Sequence, residues 1–343
     1  MPTFLVRTGA RLHLGQLDLN GSLGRLYGGI GLAVDQPQLE LVVEKASQLQ
    51  VEGPESETKR VMGIARQYLQ HYRLPGASIR ILQSLPAHCG LGSGTQLSLA
   101  VGVALTRIYG LEPPLLELAR LTDREGSRSG IGVAVFEGGG FVVDGGRPVA
   151  QGREQVGCPY AVPPVIARHP FPQEWGIVLA IPRTQEKMAG SKEEQAFSSL
   201  PPMDEGLAGR IARLVLMQLL PALVEKNLHM FGHAVTEIQQ QIGNYFAPVQ
   251  GGVFATREGA EVAAYLLSLG AAGVGQSSWG PTVYGFVERE RLSSLVEATR
   301  KLLGERGQVL AARGINHGAS WGWNEETGAT GQQALETRSP GTL

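Results

Sequence analysis

The sequence predicts an α+β fold in two lobes. Three observations carry that reading. Strand-like and helix-like stretches are mixed along the chain instead of alternating strictly. A strand, a glycine-rich loop and an apolar helical run follow one another across residues 77–108. Five prolines from residue 159 to residue 172 mark a linker near the middle. With 343 residues, 43% of them hydrophobic, there is material for one large or two medium cores. The lobes are set at 1–160 and 173–323, with 324–343 a polar, glycine-rich tail that frays.

In order along the chain, residues 4–19 alternate enough for one or two strands, and a glycine-rich loop follows at 20–29. Residues 30–34 and 39–44 read as strands interrupted by Asp35-Gln36-Pro37. Residues 59–72 have helical periodicity, with Val61, Ile64, Ala65, Tyr68 and Leu69 on one face. A strand at 77–82, a helix at 97–108 and a short helix at 113–121 with proline near its start come next. The glycine-dense stretch 126–146 reads as a loop, a short helix or strand, and a hairpin. After the linker, 175–181 is a strand and 183–197 is polar, with Lys187 and Lys192 placed to close over a substrate. Residues 204–220 form a long amphipathic helix ended by Pro221, and 223–242 a further helix. His229 and His233 sit one turn apart on it, but no third ligand accompanies them, so they read as ordinary helix residues. The rest is helix 260–269, strand 283–287, helix 292–303 and strand 308–312.

Bulk properties exclude several function classes. Thirty basic residues against 31 acidic ones leave a net charge of −1, which gives no basic field for nucleic acid. No apolar run reaches the length of a membrane span, and no leader is visible, so a cytoplasmic enzyme is expected. Cys89 and Cys158 are too few and too isolated for a disulfide framework. Cys89 is either a small semi-buried residue or a nucleophile.

The segment Leu-Pro-Ala-His-Cys-Gly-Leu-Gly-Ser-Gly-Thr-Gln, residues 85–96, is the most informative. Glycines allow a tight turn whose N–H groups converge, and a helix beginning just after adds uncapped donors and a partial positive charge. Together they make a phosphate cradle. The spacing matches neither Gly-x-x-x-x-Gly-Lys-Ser/Thr nor Gly-x-Gly-x-x-Gly. Instead, Pro-x-x-x-Gly-Leu-Gly-Ser resembles the phosphate loop of the GHMP superfamily of sugar, homoserine and mevalonate kinases.

Three further segments sharpen the resemblance: Ala10 to Gly15 with Asp18 to Arg25 and Gly28 to Gly31; Arg124 to Gly132; and Gly275 to Pro281. Read together over residues 3–323, they are similar to the β-ribofuranosylaminobenzene 5′-phosphate synthase family. That resemblance implies a two-lobed GHMP-kinase-like fold. Its N-terminal lobe would be mixed α/β with the phosphate loop, and its C-terminal lobe ferredoxin-like. It also implies a phosphoribosyltransferase in tetrahydromethanopterin biosynthesis. Phosphoribosyl pyrophosphate (PRPP) and 4-aminobenzoate, or 4-hydroxybenzoate, would form a C-riboside with loss of CO2 and pyrophosphate. Mg²⁺ and a homodimer belong to the same implication.

The residues offer a check. In the kinases a Ser-Gly-x-Asp element supplies an acid for the attacking hydroxyl, whereas here Ser129-Gly130-Ile131-Gly132 ends in glycine. Trp279 offers a flat surface for an arene, or is a buried core residue. Ser93 and Thr95 suit phosphate or Mg²⁺ and are equally able to cap the helix. Asp123 and Glu125 are the candidate metal acids, or solvated charges at a helix end. Arg11, Arg25, Arg124 and Arg128 are placed to grip phosphate or carboxylate oxygens. His13 and His88 are candidates for proton transfer or phosphoryl contacts. Asp18 and Asn20 are candidates for ribose hydroxyls or simple turn formers.

The expected catalytic set is His13, Asp18, Arg25 and Arg128. The expected substrate-binding set is Arg11, Asn20, His88, Gly90, Gly92, Ser93, Gly94, Thr95, Gln96, Arg124, Ser129, Ser277 and Trp279. Two other readings stay open: an ATP-dependent small-molecule kinase, and a metabolite-binding protein on the same scaffold.

Overall fold

A computed structural model describes residues 2–122, 129–149, 162–184 and 199–324, with the backbone of 150 and 153–154. Two long antiparallel strands, β1 (Thr3–Asp18) and β2 (Arg25–Lys45), carry a nine-stranded first sheet. β3 (Gln50–Glu52) and β4 (Ala77–Gln83) extend it beyond β2. β2 is one strand where the sequence suggested two. Gly9 pairs with Gln38 and Ala10 with Val34, so a bulge takes up Asp35-Gln36-Pro37 and the proline owes no ladder hydrogen bond.

Four helices accompany this sheet: α1 (Glu55–Tyr72), α2 (Ser93–Ile108), α3 (Leu115–Leu121) and α4 (Ile131–Gly138). α2 packs on β1 and β2 and is enclosed by α1, α3 and α4. That enclosure explains why it is apolar nearly all round and buried along its length. β5 (Phe141–Asp144) and β6 (Arg147–Ala150) do not form the expected hairpin with each other. Both pair with β2; β5 also takes β8 (Val165–His169), and β6 takes β7 (Arg153–Glu154). Part of the stretch read as a linker is therefore a strand of the first sheet.

The second sheet has the order β10-β11-β9-β12, all antiparallel: Gly273–Gln276, Val283–Glu288, Trp175–Pro182 and Gly307–Ala312. In sequence order this is strands 2-3-1-4 with helical crossovers, the ferredoxin-like arrangement. β9 is buried on both faces. Ile177, Leu179 and Ile181 face the main core, while Val178 and Ala180 face a second core under α8 (Arg257–Ser268) and α9 (Leu292–Leu303).

Between β9 and β10 run α5 (Glu205–Leu214), a π-helical turn (Val215–Leu219), α6 (Leu220–Val224) and α7 (Leu228–Gln250). The sequence placed a stop at Pro221, yet the helix continues. The π turn hands the Leu220 N–H to Val215, so the ladder has already shifted where proline would break it. The joined helix of residues 205–224 is long and apolar enough to cross a membrane by length and composition, contrary to the sequence expectation. Ala208, Ile211, Val215, Leu219 and Ala222 are buried at helical spacing, whereas Leu216, Met217 and Val224 are exposed.

The lobes share a core. Phe141 of the first sheet meets Phe231 of α7 edge-on at 5.8 Å, and Phe171, Trp175 and Phe286 close the cluster. Residues 313–315 then return to β2, and β13 (Ser320–Asn324) pairs with β1 from Thr3↔Asn324 onward. Residues 325–343, most of the expected tail, lie outside the described residues.

Candidate active site

A cavity of about 360 Å³ opens where the two lobes meet. One wall is the glycine loop leading into α2. Thr282 Oγ1 donates to the Cys89 carbonyl at 2.6 Å, Ser277 Oγ donates to Gly90 at 2.6 Å, and the Arg11 N–H donates to Leu91 at 3.0 Å. Each carbonyl is turned outward, so the N–H of the next residue points the other way, because a trans peptide sets C=O and N–H on opposite sides. α2 begins at Gly92 with no side chain capping it, so its first N–H groups stay open beside Ser93, Gly94 and Thr95, which line the cavity.

Gly90 and its neighbour from the second lobe explain why glycine is needed. Its φ is +76°, and a Cβ there would lie 2.0 Å from the Ser277 carbonyl oxygen. Gly132 is crowded too: a Cβ would meet Thr95 Cγ2 at 3.0 Å.

Several expected site residues line this cavity: Arg11, His13, His88, Gly90, Gly92, Ser93, Gly94, Thr95, Ser129 and Trp279. The Arg11 guanidinium donates to the Gly90 carbonyl at 3.2 Å and lies against Gly92. Trp279 packs edge-on to Phe246 of α7 at 4.7 Å, which makes one end of the cavity aromatic.

Other expected residues are committed elsewhere. Ser277 is fully buried; its hydroxyl accepts from the His13 N–H at 3.0 Å while donating to Gly90, so it clamps β1 to the loop. Gln96 is fully buried between Thr8 and the Gly132 carbonyl, both at 2.8 Å. Asp18 Oδ1 accepts from the N–H groups of Asn20 and Gly21, and Asn20 Nδ2 donates to the Met203 carbonyl at 2.7 Å. Arg25 donates to the Gly145 and Gly146 carbonyls at 2.5 and 2.7 Å. None of these five residues is on the cavity lining. Asp123, Arg124, Glu125 and Arg128 lie outside the described residues, as do Lys187 and Lys192.

Sequence reasoning passed over Gln16, Arg60, Gln239, Ile242, Gly243, Phe246 and Gln250, all on the lining. The spacing of Gln239, Ile242, Gly243, Phe246 and Gln250 along one helix face was the available signal. It also passed over Asp144. That carboxylate is fully buried and accepts from the Ser129 hydroxyl and the Gly130 and Gly146 N–H groups, at 3.0, 2.9 and 2.9 Å. It thereby fixes the start of α4 beside the cavity.

The His13 imidazole is held neutral. Burial, with the Arg11 charge adding to it, pushes its pKa down from 6.5 to about 3. A neutral imidazole donates or accepts a hydrogen bond but brings no positive charge to the site. Between about pH 6.5 and 3 the unfolded chain binds this proton and the folded one does not, so stability is full above that window and falls as pH drops through it. The expected result is a steep acid-side loss in thermal unfolding that His13→Gln makes shallower. An unchanged slope in the variant would contradict a neutral, buried His13.

Among the described residues, no group of three His, Cys, Asp or Glu side chains is placed to hold a metal ion. The described lining offers hydroxyls and no carboxylate.

Two family models match the chain: the GHMP kinases N terminal domain over residues 59–140 and the GHMP kinases C terminal over residues 219–304. Solved structures match the whole fold. A homoserine kinase from Cytophaga hutchinsonii gives a TM-score of 0.64 at 17% identity, covering 93% of this chain and 97% of that one. The mevalonate kinase of Methanococcus jannaschii gives 0.64 at 13% identity, covering 91% and 98%. At such identities the likeness speaks for the fold. The sequence relatives decide the family. The β-ribofuranosylphenol 5′-phosphate synthase of Methanothermobacter thermautotrophicus is 34% identical over 332 residues, which is 92% of this chain and 97% of the relative. The chain belongs to the β-ribofuranosylphenol 5′-phosphate synthase family. The synthase so named from Archaeoglobus fulgidus is 37% identical over 305 residues, 88% of this chain and 93% of that relative. A third, from Methanocaldococcus jannaschii, is 33% identical over 335 residues. The glycine loop, its clamp and the aromatic end of the cavity are thus features of a member of the β-ribofuranosylphenol 5′-phosphate synthases.

Proposed function

We propose that this chain joins PRPP to 4-hydroxybenzoate or 4-aminobenzoate, releasing pyrophosphate and CO2 and leaving a β-ribofuranosyl arene 5′-phosphate, a step of tetrahydromethanopterin biosynthesis. The single observation that carries this reading is the pairing, in one cavity, of an anion cradle with an aromatic wall, in a member of this family. The diphosphate would sit on the N–H groups at the start of α2, beside Arg11. The arene would sit against Trp279, Phe246 and Ile242.

The electron balance suits the lining. The ring carbon bearing the carboxylate attacks ribose C1, and the C1–O bond breaks with its pair going to diphosphate. The C–CO2 bond then returns its pair to the ring. CO2 leaves from the carbon that was attacked, so no protein base has to remove a proton there. The open N–H groups at α2 would stabilise the departing diphosphate. A Mg²⁺ ion, when bound, would draw off further charge from the leaving group. The described lining suits an ion that arrives on the diphosphate, with Ser93 and Thr95 offering hydroxyl oxygens and Asp123 and Glu125 the proposed acids. The roles of Arg25, Arg124, Arg128 and Asp18 are proposals of the same standing. A homodimer, in the cytoplasm, would cover the exposed apolar side chains Leu216, Met217 and Val224.

Glycine at position 132 argues against phosphoryl transfer to an alcohol by the kinase route. It supplies no carboxylate to take the proton of an attacking hydroxyl, and a Cβ there would already press on Thr95 at 3.0 Å. The deciding assay uses purified protein, Mg²⁺, PRPP and carboxyl-labelled 4-hydroxybenzoate or 4-aminobenzoate. Labelled CO2 that appears only with PRPP is expected. ATP consumption with an alcohol acceptor, and no PRPP-dependent CO2, would mean a kinase instead.

A further inference from the structure

Most polar side chains on the cavity wall already have partners. Gln239 accepts from the Gln276 N–H, Gln276 accepts from Ala255 and donates to Ser278, and Gln250 donates to Gly252 and Val253. Ser129 is held by Asp144. Three buried side chains differ: Ser93, already placed at the start of α2, and two on β1. His13 is 7% exposed and Gln16 8%, both line the cavity, and neither side chain has a hydrogen-bond partner among the described residues.

The backbone brings these two together. In a regular strand, residues three apart face opposite sides of the sheet. Here the ladder runs His13↔Gly31, Gly15↔Ile30 and Gln16↔Gly29, so a bulge absorbs Leu14 and turns Gln16 to the face of His13. The residues opposite them are both glycines, over which Ile131 and Ser129 pack closely. Glycine is needed at both, since a Cβ on Gly31 would strike Ile131 at 2.2 Å and one on Gly29 would strike Ser129 Oγ at 2.3 Å.

Their position along β1 says what they meet. Two residues before His13, Arg11 touches the phosphate loop. Between His13 and Gln16, Gly15 abuts Ile242 on the aromatic side. The pair therefore lies between the anion end and the arene end. In the reaction proposed above, the group between diphosphate and arene is the sugar. Both side chains are uncharged, as His13 is held neutral, and a carboxamide sets a donor and an acceptor side by side, which suits vicinal hydroxyls. Asp18 and Asn20, the expected ribose ligands, are taken up in their own turn. We infer that Gln16, with His13 beside it, binds the ribose hydroxyls of the phosphoribosyl donor. This inference rests on the reading given under the proposed function.

The test is calorimetric, on the full chain with Mg²⁺, using PRPP and inorganic pyrophosphate as the two probes. Gln16→Met, close to isosteric, is expected to weaken PRPP about tenfold and leave pyrophosphate unchanged. The KM for the arene should not move. Weakening of both probes would mean a phosphate or scaffold role, and a changed KM or preference among arenes would mean that Gln16 touches the ring; either overturns the assignment alone. Wild-type protein that binds pyrophosphate but gains nothing from the phosphoribosyl group overturns the reading and the assignment together. Should Gln16→Met not fold, the 2-deoxy analogue of PRPP tests the same contact on wild-type protein. It should bind about tenfold more weakly than PRPP, and equal binding would sink the inference.

Discussion

Gly90→Ala is expected to reduce turnover at least a hundredfold and to lower stability by about 3 kcal/mol. Two costs add. The backbone at 90 has φ +76°, a conformation that costs an alanine about 1 kcal/mol. The larger cost is contact, because the new Cβ would lie 2.0 Å from the Ser277 carbonyl oxygen, in a part of the second lobe that is itself hydrogen-bonded to Thr282. Relief requires the loop to move off Ser277, which undoes the orientation of its peptide groups. Gly110 provides the control. It has the same φ of +76° with nothing within 4 Å of a built Cβ, so Gly110→Ala should cost about 1 kcal/mol and leave activity intact. Thermal unfolding and pyrophosphate binding on both variants separate crowding from conformation. Equal behaviour of the two would contradict the crowding argument.

Asp144→Ala is expected to cost about 2–4 kcal/mol and to lower kcat/KM as well. The carboxylate accepts three hydrogen bonds, two of them from the backbone of Gly130 and Gly146. Alanine leaves those buried N–H groups without an acceptor, and that desolvation penalty dominates. It also releases Ser129 and the first turn of α4, which flank the cavity. Asp144→Asn keeps one acceptor oxygen and should lie between wild type and alanine. Urea midpoints for the three proteins check the order. An asparagine variant less stable than the alanine variant would refute the hydrogen-bonding account.

The parts of the fold that were legible in the sequence are those set by local pattern. Helix 292–303 was bounded correctly because its apolar spacing stops at Gly304, which terminates it with positive φ. The glycine loop was legible because strand, turn and helix follow one another without interruption. What failed depended on distant partners. β5 and β6 look like a hairpin in sequence, but both pair with β2, more than a hundred residues earlier. Gln96 and Ser277 sit in site motifs, and nothing local distinguishes a ligand contact from a clamp. Their partners lie 88 and 187 residues away in sequence, at Thr8 and Gly90. The turn chemistry of Asp18 and Asn20 was weighed from sequence, and the structure favours it at both. Gln16 was invisible for another reason: a bulge reverses the side on which it falls, and periodicity assumes no bulge.

The return of the chain to β2 has a mechanical consequence. Asp35 and Arg313 exchange backbone and side-chain hydrogen bonds, Ile315 donates to Ala33, and Ser320–Asn324 lies along β1. At the other end of the lobe β8, just before β9, is itself a strand of the first sheet, so the ferredoxin-like lobe is tied to that sheet at both of its ends, like a gate fixed at two posts. Swinging it open would tear main-chain pairing on β1, which carries Arg11 and His13, and on its neighbour β2. A swing of that lobe is thus resisted on the wall of the cavity to which Arg11 and His13 belong.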